Sequence, residues 1–572
     1  MDRQLENKIP IEEFVNLPDS IALNIRYDES LRRFADEREY VYIGKIVHGN
    51  QAIVYVKENK IEEVLRELGV NNISYLPVVL GLLGTESIKA AGILDVQKEP
   101  TLALKGDGVL IGIIDTGVDY TKDAFINKDG KSRIQYIWDQ TQTGNIPEGY
   151  LFGAEYTNEE INEAIKQENP YNIVKQKDDV GHGTFLASIA ASNDPNEYLG
   201  AAPNSELIVV KLKKAKQYFI NRYLIPPEQN SVFESINVML GIEYMIEKAA
   251  QLNKPLAICI GLGTNQDGHD GFNALEEYLS TISKISGICV CAGAGNESNT
   301  AHHTDGRLEG QGDNKNIEIR VPENSYSFPI YIWNNFSDRI SVSIKSPTGE
   351  IIGRVPAKAG TLLESNLVLE RSKVSVRYSF PMPGSGSQLT TIKIIEPTPG
   401  IWTITIYGDI VLDGSYHAWL HMRELISPGI EFLTPTSNCT IVVPATSYGT
   451  ITCGAYNFRN NSLYIDSSWG PTRTPVMSPD FAAPGVDSLG IFPKNNGTMT
   501  GTSVAAAVTT GACALMLQWG IVQKHNISLD TYRIKAYLIR GCDRTPGVEY
   551  PNIQWGYGRL DLYKVFTQLG LT

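Results

Sequence analysis

The stretch "GVLIGIIDTGVD", residues 108–119, decides the fold class of this 572-residue chain. It is a short, fully apolar run that ends in an aspartate, Asp115. Strands that are apolar on both faces are typical of a parallel sheet covered by helices on both sides. Similar runs recur at "ELIVVKLK" (206–213), "PLAICIGLG" (255–263) and "GICVCAGAGN" (287–296), with helical stretches between them. The sequence therefore predicts an α/β fold with a doubly wound parallel sheet.

Two regions with other patterns flank or interrupt this sheet. Residues 20–81 alternate in the order βαββαβ, which is typical of a small ferredoxin-like module. From about residue 312 to 428 short alternating strands with Pro, Gly and Asn turns predict an all-β jelly roll or sandwich. We therefore predict four segments: an N-terminal module (1–84), a first part of the α/β domain (85–311), an inserted β domain (312–428), and a second α/β part (429–572).

The overall charge and the N-terminus exclude several classes of partner. The formal net charge is -14 and the pI is about 5.2, which argues against nucleic acid or anionic membrane as the main partner. The N-terminus "MDRQLENKIP" lacks the apolar core of a signal peptide, so we expect synthesis in the cytoplasm. We find no apolar run near 18 residues and therefore expect no transmembrane segment.

The sequence predicts no metal site and no cofactor. Its seven cysteines lie mostly in apolar runs, which indicates reduced core thiols, and no matching Cys or His pair stands near Cys289 and Cys291. Asp178 and Asp179 precede a predicted helix, where acidic residues favour the helix dipole. The adjacent His302 and His303 are interpreted as part of a polar loop.

Three polar residues stand at predicted strand ends or helix starts. Asp115 follows the first apolar strand, His182 opens "GHGTFLASIAAS", and Ser503 opens "GTSVAAAVTTGACALMLQW". Each has a structural explanation by itself, as a turn former, a buried histidine or a helix cap. Together they supply a hydroxyl nucleophile, an imidazole base and a carboxylate that orients the imidazole.

These segments and "CAGAGNES" (291–298) resemble the motifs of subtilisin-like serine proteases, the subtilase family. The resemblance implies a serine endopeptidase with Asp115, His182 and Ser503 as its catalytic triad. Asn296, which by itself would indicate a turn, would then stabilise the oxyanion.

The same resemblance assigns two stretches to the substrate. Gly261, Leu262 and Gly263 would pair with the peptide backbone as an edge strand, although such glycines also allow strands to pack closely. The pocket for the side chain before the cleaved bond would be lined by Ala292, Gly293 and Ala294.

The order of regions is similar to that of the Csp germination proteases of spore-forming clostridia. This similarity implies a prodomain that is cut off near Gly84 and Thr85 and stays bound without a covalent link. It also implies a spore location and a substrate such as the precursor of a spore cortex-lytic enzyme. Two alternatives stay open: a non-catalytic pseudoprotease whose prodomain blocks the cleft, and a general degradative protease.

Overall fold

The N-terminal region forms a small antiparallel sheet. The computed structural model describes residues 8–68, 76–82, 89–194 and 198–571. The first elements are α1 (Ile11–Val15), β1 (Ser20–Arg26), α2 (Glu29–Asp36), β2 (Val41–Val47), β3 (Gln51–Lys57), α3 (Ile61–Glu67) and β4 (Val79–Leu82). Strand β3 lies between β1 and β2, whereas β4 pairs with strands of the following region. The predicted βαββαβ order is present, but its last described strand belongs to another sheet.

A sheet of nine strands forms the centre of the protein. The elements before the insert are α4 (Ile93–Lys98), β5 (Leu110–Asp115), β6 (Ile134–Asp139), β7 (Ala154–Thr157), α5 (Asn158–Ala164), α6 (His182–Ala191), β8 (Asn193–Asp194), β9 (Tyr198–Leu199), β10 (Glu206–Lys211), α7 (Gln217–Arg222), β11 (Phe233–Glu234), α8 (Ser235–Leu252), β12 (Leu256–Ile260), β13 (Leu262–Gly263), α9 (Ala274–Ile282) and β14 (Ile288–Gly293).

The insert is antiparallel throughout and has its own apolar core. Its strands are β15 (His303–Arg307), β16 (Asn314–Val321), β17 (Phe328–Asn334), β18 (Arg339–Lys345), β19 (Ile351–Val355), β20 (Leu362–Asn366), β21 (Lys373–Ser379), β22 (Gln388–Ile395), β23 (Gly400–Ile410), β24 (Ser415–Trp419) and β25 (Glu431–Phe432). They form sheets in the orders β15-β24-β17-β22-β21-β20 and β19-β18-β23-β16-β25. A buried cluster that includes Trp402 and Ile404 fills the interior. The first of these strands begins at His303, ahead of the boundary at 312 predicted from the sequence.

The rest of the chain returns to the central sheet. Its elements are β26 (Ile451–Asn457), β27 (Ser462–Leu463), β28 (Phe481–Pro484), β29 (Ser488–Ile491), β30 (Asn496–Met499), α10 (Thr502–Leu517), α11 (Thr531–Gly541) and α12 (Leu562–Gln568). The sheet order is β27-β26-β14-β12-β5-β10-β6-β7, with β28 paired to β26. Only the pairs β6/β7 and β26/β27 are antiparallel. The predicted subtilisin-like parallel sheet is thereby confirmed.

Strand β5 shows why the apolar runs predicted this sheet. Ile111 and Ile113 contribute to the core on one face, which includes helix α10. Leu110 and Ile114 contribute to the core on the other face, which includes helix α8. Because alternate residues of a strand point to opposite faces, a strand between two cores must be apolar at every position.

Helix α10 and its π-helical extension form one long apolar stretch, Thr502–Val522. By length and composition residues Thr502–Val522 could span a membrane, but 94% of the 18-residue apolar segment within this range is buried inside the protein. This helix does not stand out as an apolar run in the sequence, because Thr509, Thr510 and Gly511 interrupt its apolar pattern. Burial on all sides is typical of a core helix.

Candidate active site

Three adjacent strands of the central sheet end at one edge, and a polar or glycine residue lies at or shortly after the end of each strand. Strands β14, β12 and β5 are neighbours and run parallel. Asp115 is the last residue of β5, Gly261 directly follows β12, and Asn296 lies three residues beyond β14. The carboxyl ends of parallel strands are where open α/β sheets bind ligands. The sheet therefore places these three residues along one cleft.

The carboxylate of Asp115 holds the imidazole of His182. His182 Nδ1 lies 2.9 Å from each of the two carboxylate oxygens. Both side chains are buried, and the backbone N–H of Thr116 donates a further hydrogen bond of 2.7 Å to Asp115. A carboxylate in this position fixes the imidazole with a proton on Nδ1 and leaves Nε2 as the acceptor.

The glycines around His182 allow helix α6 to start directly beside Asp115. A Cβ at Gly183 would lie 2.1 Å from the carbonyl oxygen of Gly117 and 3.1 Å from Asp115 Cβ. Gly181 has a φ of 92°, a conformation that favours glycine. The sequence "GHG" therefore has a structural cause: a side chain at position 183 would collide with the Asp115 loop, and one at position 181 would strain the backbone.

The buried carboxylate of Asp178 joins the Asp115 loop to the start of helix α6. Its Oδ1 accepts hydrogen bonds from Thr116 Oγ1 at 2.8 Å and Gly181 N at 2.7 Å. Its Oδ2 accepts from the backbone N–H and the hydroxyl of Thr184, at 2.9 and 2.6 Å. Asp178 thus lies at the start of a helix, as the sequence predicts, and in addition it binds Thr116 of the Asp115 loop. Its neighbour Asp179 is exposed.

Ser503 lies at the start of helix α10 and faces His182. Its Oγ is 3.2 Å from His182 Nε2, and the residue is buried. The preceding Gly501 has a φ of 145°, which few side chains tolerate. The nucleophile, the base and the orienting carboxylate predicted from three distant segments are therefore in one hydrogen-bonded chain.

Asn296 is held against the first turn of the same helix. The backbone N–H of Thr502 donates to Asn296 Oδ1 at 3.0 Å, and Gly295 N donates to Thr502 Oγ1 at 3.0 Å. With its oxygen occupied, the carboxamide has its NH2 group as a donor. Gly293 allows this contact, because a Cβ there would lie 2.7 Å from the carbonyl oxygen of Thr502.

The backbone at Gly261 lies close to Ser503 and His182. A Cβ at this position would lie 3.0 Å from Ser503 Cβ, 3.2 Å from His182 Cε1 and 2.6 Å from Leu186 Cδ1. The next two residues form strand β13, which pairs with β4 in the register Leu262↔Leu82 and Gly263↔Gly81. The backbone edge predicted to bind substrate is therefore paired with a segment of the chain's own N-terminal region.

Strand β11 forms the other side of this cleft. It pairs with β4 in the register Phe233↔Leu80 and Glu234↔Val79, so β4 lies between β11 and β13 in a three-stranded antiparallel sheet. The sequence analysis did not identify β11, because two paired residues before a helix carry no periodic signal. An extended segment thus lies hydrogen-bonded on both sides, beside the triad.

The remaining predicted residues lie in or next to the sheet. Ala292 and Gly293 pair with Thr452 and Cys453, and Ala294 N donates to the carbonyl of Cys453 at 2.9 Å. All of them are buried. Their role in lining a side-chain pocket stays a prediction. Gly84 and Thr85, the predicted cleavage region, lie outside the described residues.

Within the described part of the chain, two clusters of side chains outside the triad have atoms that could bind a metal ion. Cys513 of α10 joins Cys289 and Cys291, with 3.5 Å between the sulfur atoms of Cys291 and Cys513. The third cysteine is thus supplied by a helix more than 200 residues further along the chain, where no local pattern in the sequence links it to the pair. All seven cysteines are buried and free, as expected. The second cluster consists of His303, Asp305 and His417.

Comparisons with known proteins agree with this geometry. A sequence profile of the subtilase family matches residues 106–343 and 433–558. The solved structure of the Clostridium perfringens CspB protease is similar, with 32% identity, a TM-score of 0.75, and coverage of 84% of this chain and 98% of that chain. The epidermin leader peptide processing serine protease of Staphylococcus aureus matches at 13% identity and a TM-score of 0.45, over 96% and 98% of the two chains. No curated protein matches the chain.

Proposed function

This chain belongs to the subtilase family of serine peptidases, and from that premise we propose that it cleaves its own N-terminal region and then activates a protein precursor. The observation that carries the proposal is the hydrogen-bonded chain Asp115–His182–Ser503 beside a cleft that holds an extended segment. A protein substrate is what a peptidase requires, and the net charge of -14 argues against nucleic acid as the main partner.

Peptide cleavage starts with attack by the Ser503 hydroxyl. His182 Nε2, 3.2 Å from Ser503 Oγ, takes the hydroxyl proton while Oγ bonds to the carbonyl carbon of the peptide. The resulting imidazolium is stabilised by the Asp115 carboxylate, whose two oxygens both face Nδ1. His182 then gives its proton to the leaving amine, and the acyl group remains on Ser503.

The negative oxygen of the tetrahedral intermediate requires donors at a fixed place. The NH2 group of Asn296 and the backbone N–H of Ser503 supply them, because Thr502 N holds the other end of the carboxamide. Preorganised donors of this kind need no rearrangement during the reaction. A water molecule, deprotonated by His182, then hydrolyses the acyl-enzyme and restores the free serine.

A substrate peptide would bind as β4 does. Backbone pairing with β11 and β13 accepts an extended chain with little dependence on its side chains. Leu82, the last residue of β4, pairs with Leu262, and the adjacent Gly261 lies against Ser503 and His182, so the bond proposed for self-cleavage is near Gly84 and Thr85. The released N-terminal region would stay bound through β4 and through contacts such as that of Lys45 Nζ with Glu247, at 2.6 Å.

The similarity to the CspB protease supports a dedicated role for the mature enzyme. We propose that its substrate is the precursor of a cell-wall hydrolase, of the kind that degrades spore cortex, and that the enzyme is packaged in the spore. Specific activation differs from general degradation in that one bond of one protein is cut much faster than bonds of unfolded proteins.

The experiment compares two substrates. Purified wild-type enzyme is incubated with a cortex-lytic enzyme precursor and, separately, with casein, and the Ser503→Ala variant serves as the control for contaminating proteases. The proposal predicts one discrete cleavage of the precursor, at least tenfold faster than loss of casein. Equal rates on both substrates would favour the general degradative protease.

A non-catalytic scaffold is the second candidate function. Its support is the pairing of β4 with both sides of the cleft, which leaves no free edge for another peptide. In that case neither substrate would be cut, and addition of wild-type or Ser503→Ala protein would give the same result.

A further inference from the structure

Three side chains with metal-binding atoms lie together on strands β15 and β24 of the insert. They are His303, Asp305 and His417, referred to below as the His–Asp cluster. We propose that the His–Asp cluster binds one divalent transition metal ion of the Zn²⁺, Co²⁺ or Ni²⁺ class. This inference does not depend on the proposed function.

Strand pairing puts the three side chains on one face of a sheet. Strands β15 and β24 are antiparallel, with Asp305 opposite His417 and His303 opposite Trp419. Residues two apart on a strand point to the same side, so His303 and Asp305 share a face. Directly opposite residues also share a face, with Cβ atoms about 4.5–5.5 Å apart. His417, which lies opposite Asp305, is therefore on the same face as His303 and Asp305.

The distances between the side chains suit a shared ion. One potential ligand atom from each residue lies within 4.8 Å of the others. His303 Nε2 and His417 Nδ1 are 3.1 Å apart. Two nitrogens bound to one tetrahedral zinc ion at about 2.0–2.1 Å are about 3.4 Å apart, so little movement would admit the ion.

The two imidazoles of the cluster face each other, whereas the nearby His269 is bonded to carbonyl groups. Carbonyl oxygens of Ile441 and Asn265 lie 2.7 and 3.1 Å from the two nitrogens of His269. His303 Nε2 and His417 Nδ1 are paired with each other instead, and in neutral imidazoles only one of these two nitrogens carries a proton. An ion between them would replace this single hydrogen bond.

The surroundings fix the rings and leave one side open. The indole of Trp419 stacks on both, with ring centroids 4.6 Å from His303 and 5.4 Å from His417. Asp305 is exposed, and His417 lines a cavity of about 330 Å³ that Asp413 also lines. Imidazole and carboxylate donors with an open position suit a borderline divalent ion such as Zn²⁺. Such an ion would fasten the first strand of the insert to β24.

The test is titration of the full-length protein with Co²⁺, followed by absorption spectroscopy and by equilibrium dialysis. The Ser503→Ala variant is used so that the chain stays intact. We expect one Co²⁺ per chain, displaced by Zn²⁺, with a spectrum of nitrogen and oxygen ligands. Asp305→Asn and His417→Gln should each weaken binding at least tenfold, whereas His525→Ala, which changes an exposed histidine elsewhere, should not.

Three outcomes would overturn the proposal. One is the absence of bound metal at millimolar Co²⁺. Another is equal binding by Asp305→Asn, His417→Gln and the parent protein, which would place the ion elsewhere, for example at His182 and Asp115. The third is a spectrum dominated by thiolate-to-cobalt charge transfer, which would place it at the buried cysteines. Asp305 is exposed and Asn is its isostere, so this variant stays informative even if His417→Gln does not fold.

Discussion

His182 Nε2 and Ser503 Oγ lie 3.2 Å apart although 321 positions separate them in the chain. Helix α6 carries the histidine, helix α10 carries the serine, and the two helices pack against each other in one apolar core. Small residues along both helices permit this approach. The geometry of the site therefore depends on packing as much as on the catalytic side chains, and the predictions below separate the two.

The neighbouring carboxylates differ in their contacts, because Asp178 is buried and accepts hydrogen bonds near the triad, whereas Asp179 is exposed. Asp178→Ala removes the acceptor for Thr116, Gly181 and Thr184, so both the Asp115 loop and helix α6 lose an anchor. We expect about 10²-fold lower kcat, the size of effect that a shift of about 1 Å in a catalytic group produces. Asp179→Ala is the matched control, and it should keep wild-type kcat in a peptide hydrolysis assay. Equal activity of the two variants would show that Asp178 does not position the triad.

Loss of the Asn296 carboxamide should reduce the rate more than binding. Asn296→Ala removes one donor to the oxyanion, and we expect kcat to fall about 10²- to 10³-fold with little change in KM, the range known for the subtilisin asparagine. Asn314→Ala, on the exposed end of strand β16, should change neither constant. A rise in KM at constant kcat would indicate a role in substrate binding instead.

A methyl group at position 261 should displace the catalytic pair. In Gly261→Ala the added carbon would lie 3.0 Å from Ser503 Cβ and 3.2 Å from His182 Cε1, both too close for unstrained contact. We expect at least 10²-fold loss of kcat/KM while the fold is retained. Gly353→Ala is the control, since no atom lies within 4 Å of a Cβ there. Wild-type activity of Gly261→Ala would mean that the cleft accepts a side chain next to the triad.

Helix α10 packs closely against Ala201 at Gly511, and a measurement of the free energy of unfolding tests this contact. A Cβ at Gly511 would lie 2.2 Å from Ala201 Cβ, so Gly511→Ala overpacks the core and should lower the free energy of unfolding by about 1–3 kcal/mol. Helix propensity alone has the opposite sign, since Ala is favoured over Gly by about 1 kcal/mol. Urea denaturation of the Ser503→Ala background measures the difference. A gain in stability would show that helix α10 and the loop at Ala201 have room to separate.

Local patterns predicted the individual strands of the sheet and the three triad residues, because every strand and every triad motif lies within one continuous segment of the sequence. The apolar run of β5 ends in Asp115, and the glycines beside His182 are needed where α6 approaches Gly117. Features that depend on distant pairing were not predictable in this way. Strand β4 leaves the N-terminal sheet to join β11 and β13, and the polar loop expected at 302–303 proves buried, with His303 beside His417.

Intact mass spectrometry of freshly purified wild-type and Ser503→Ala protein tests the central claim most directly. If Ser503 is the nucleophile, wild type gives two fragments whose masses sum to the full 63.1 kDa chain plus one water, with a boundary near Gly84, while Ser503→Ala remains one chain. A wild-type protein that remains uncut, or equal cutting of both proteins, would contradict self-cleavage by the triad.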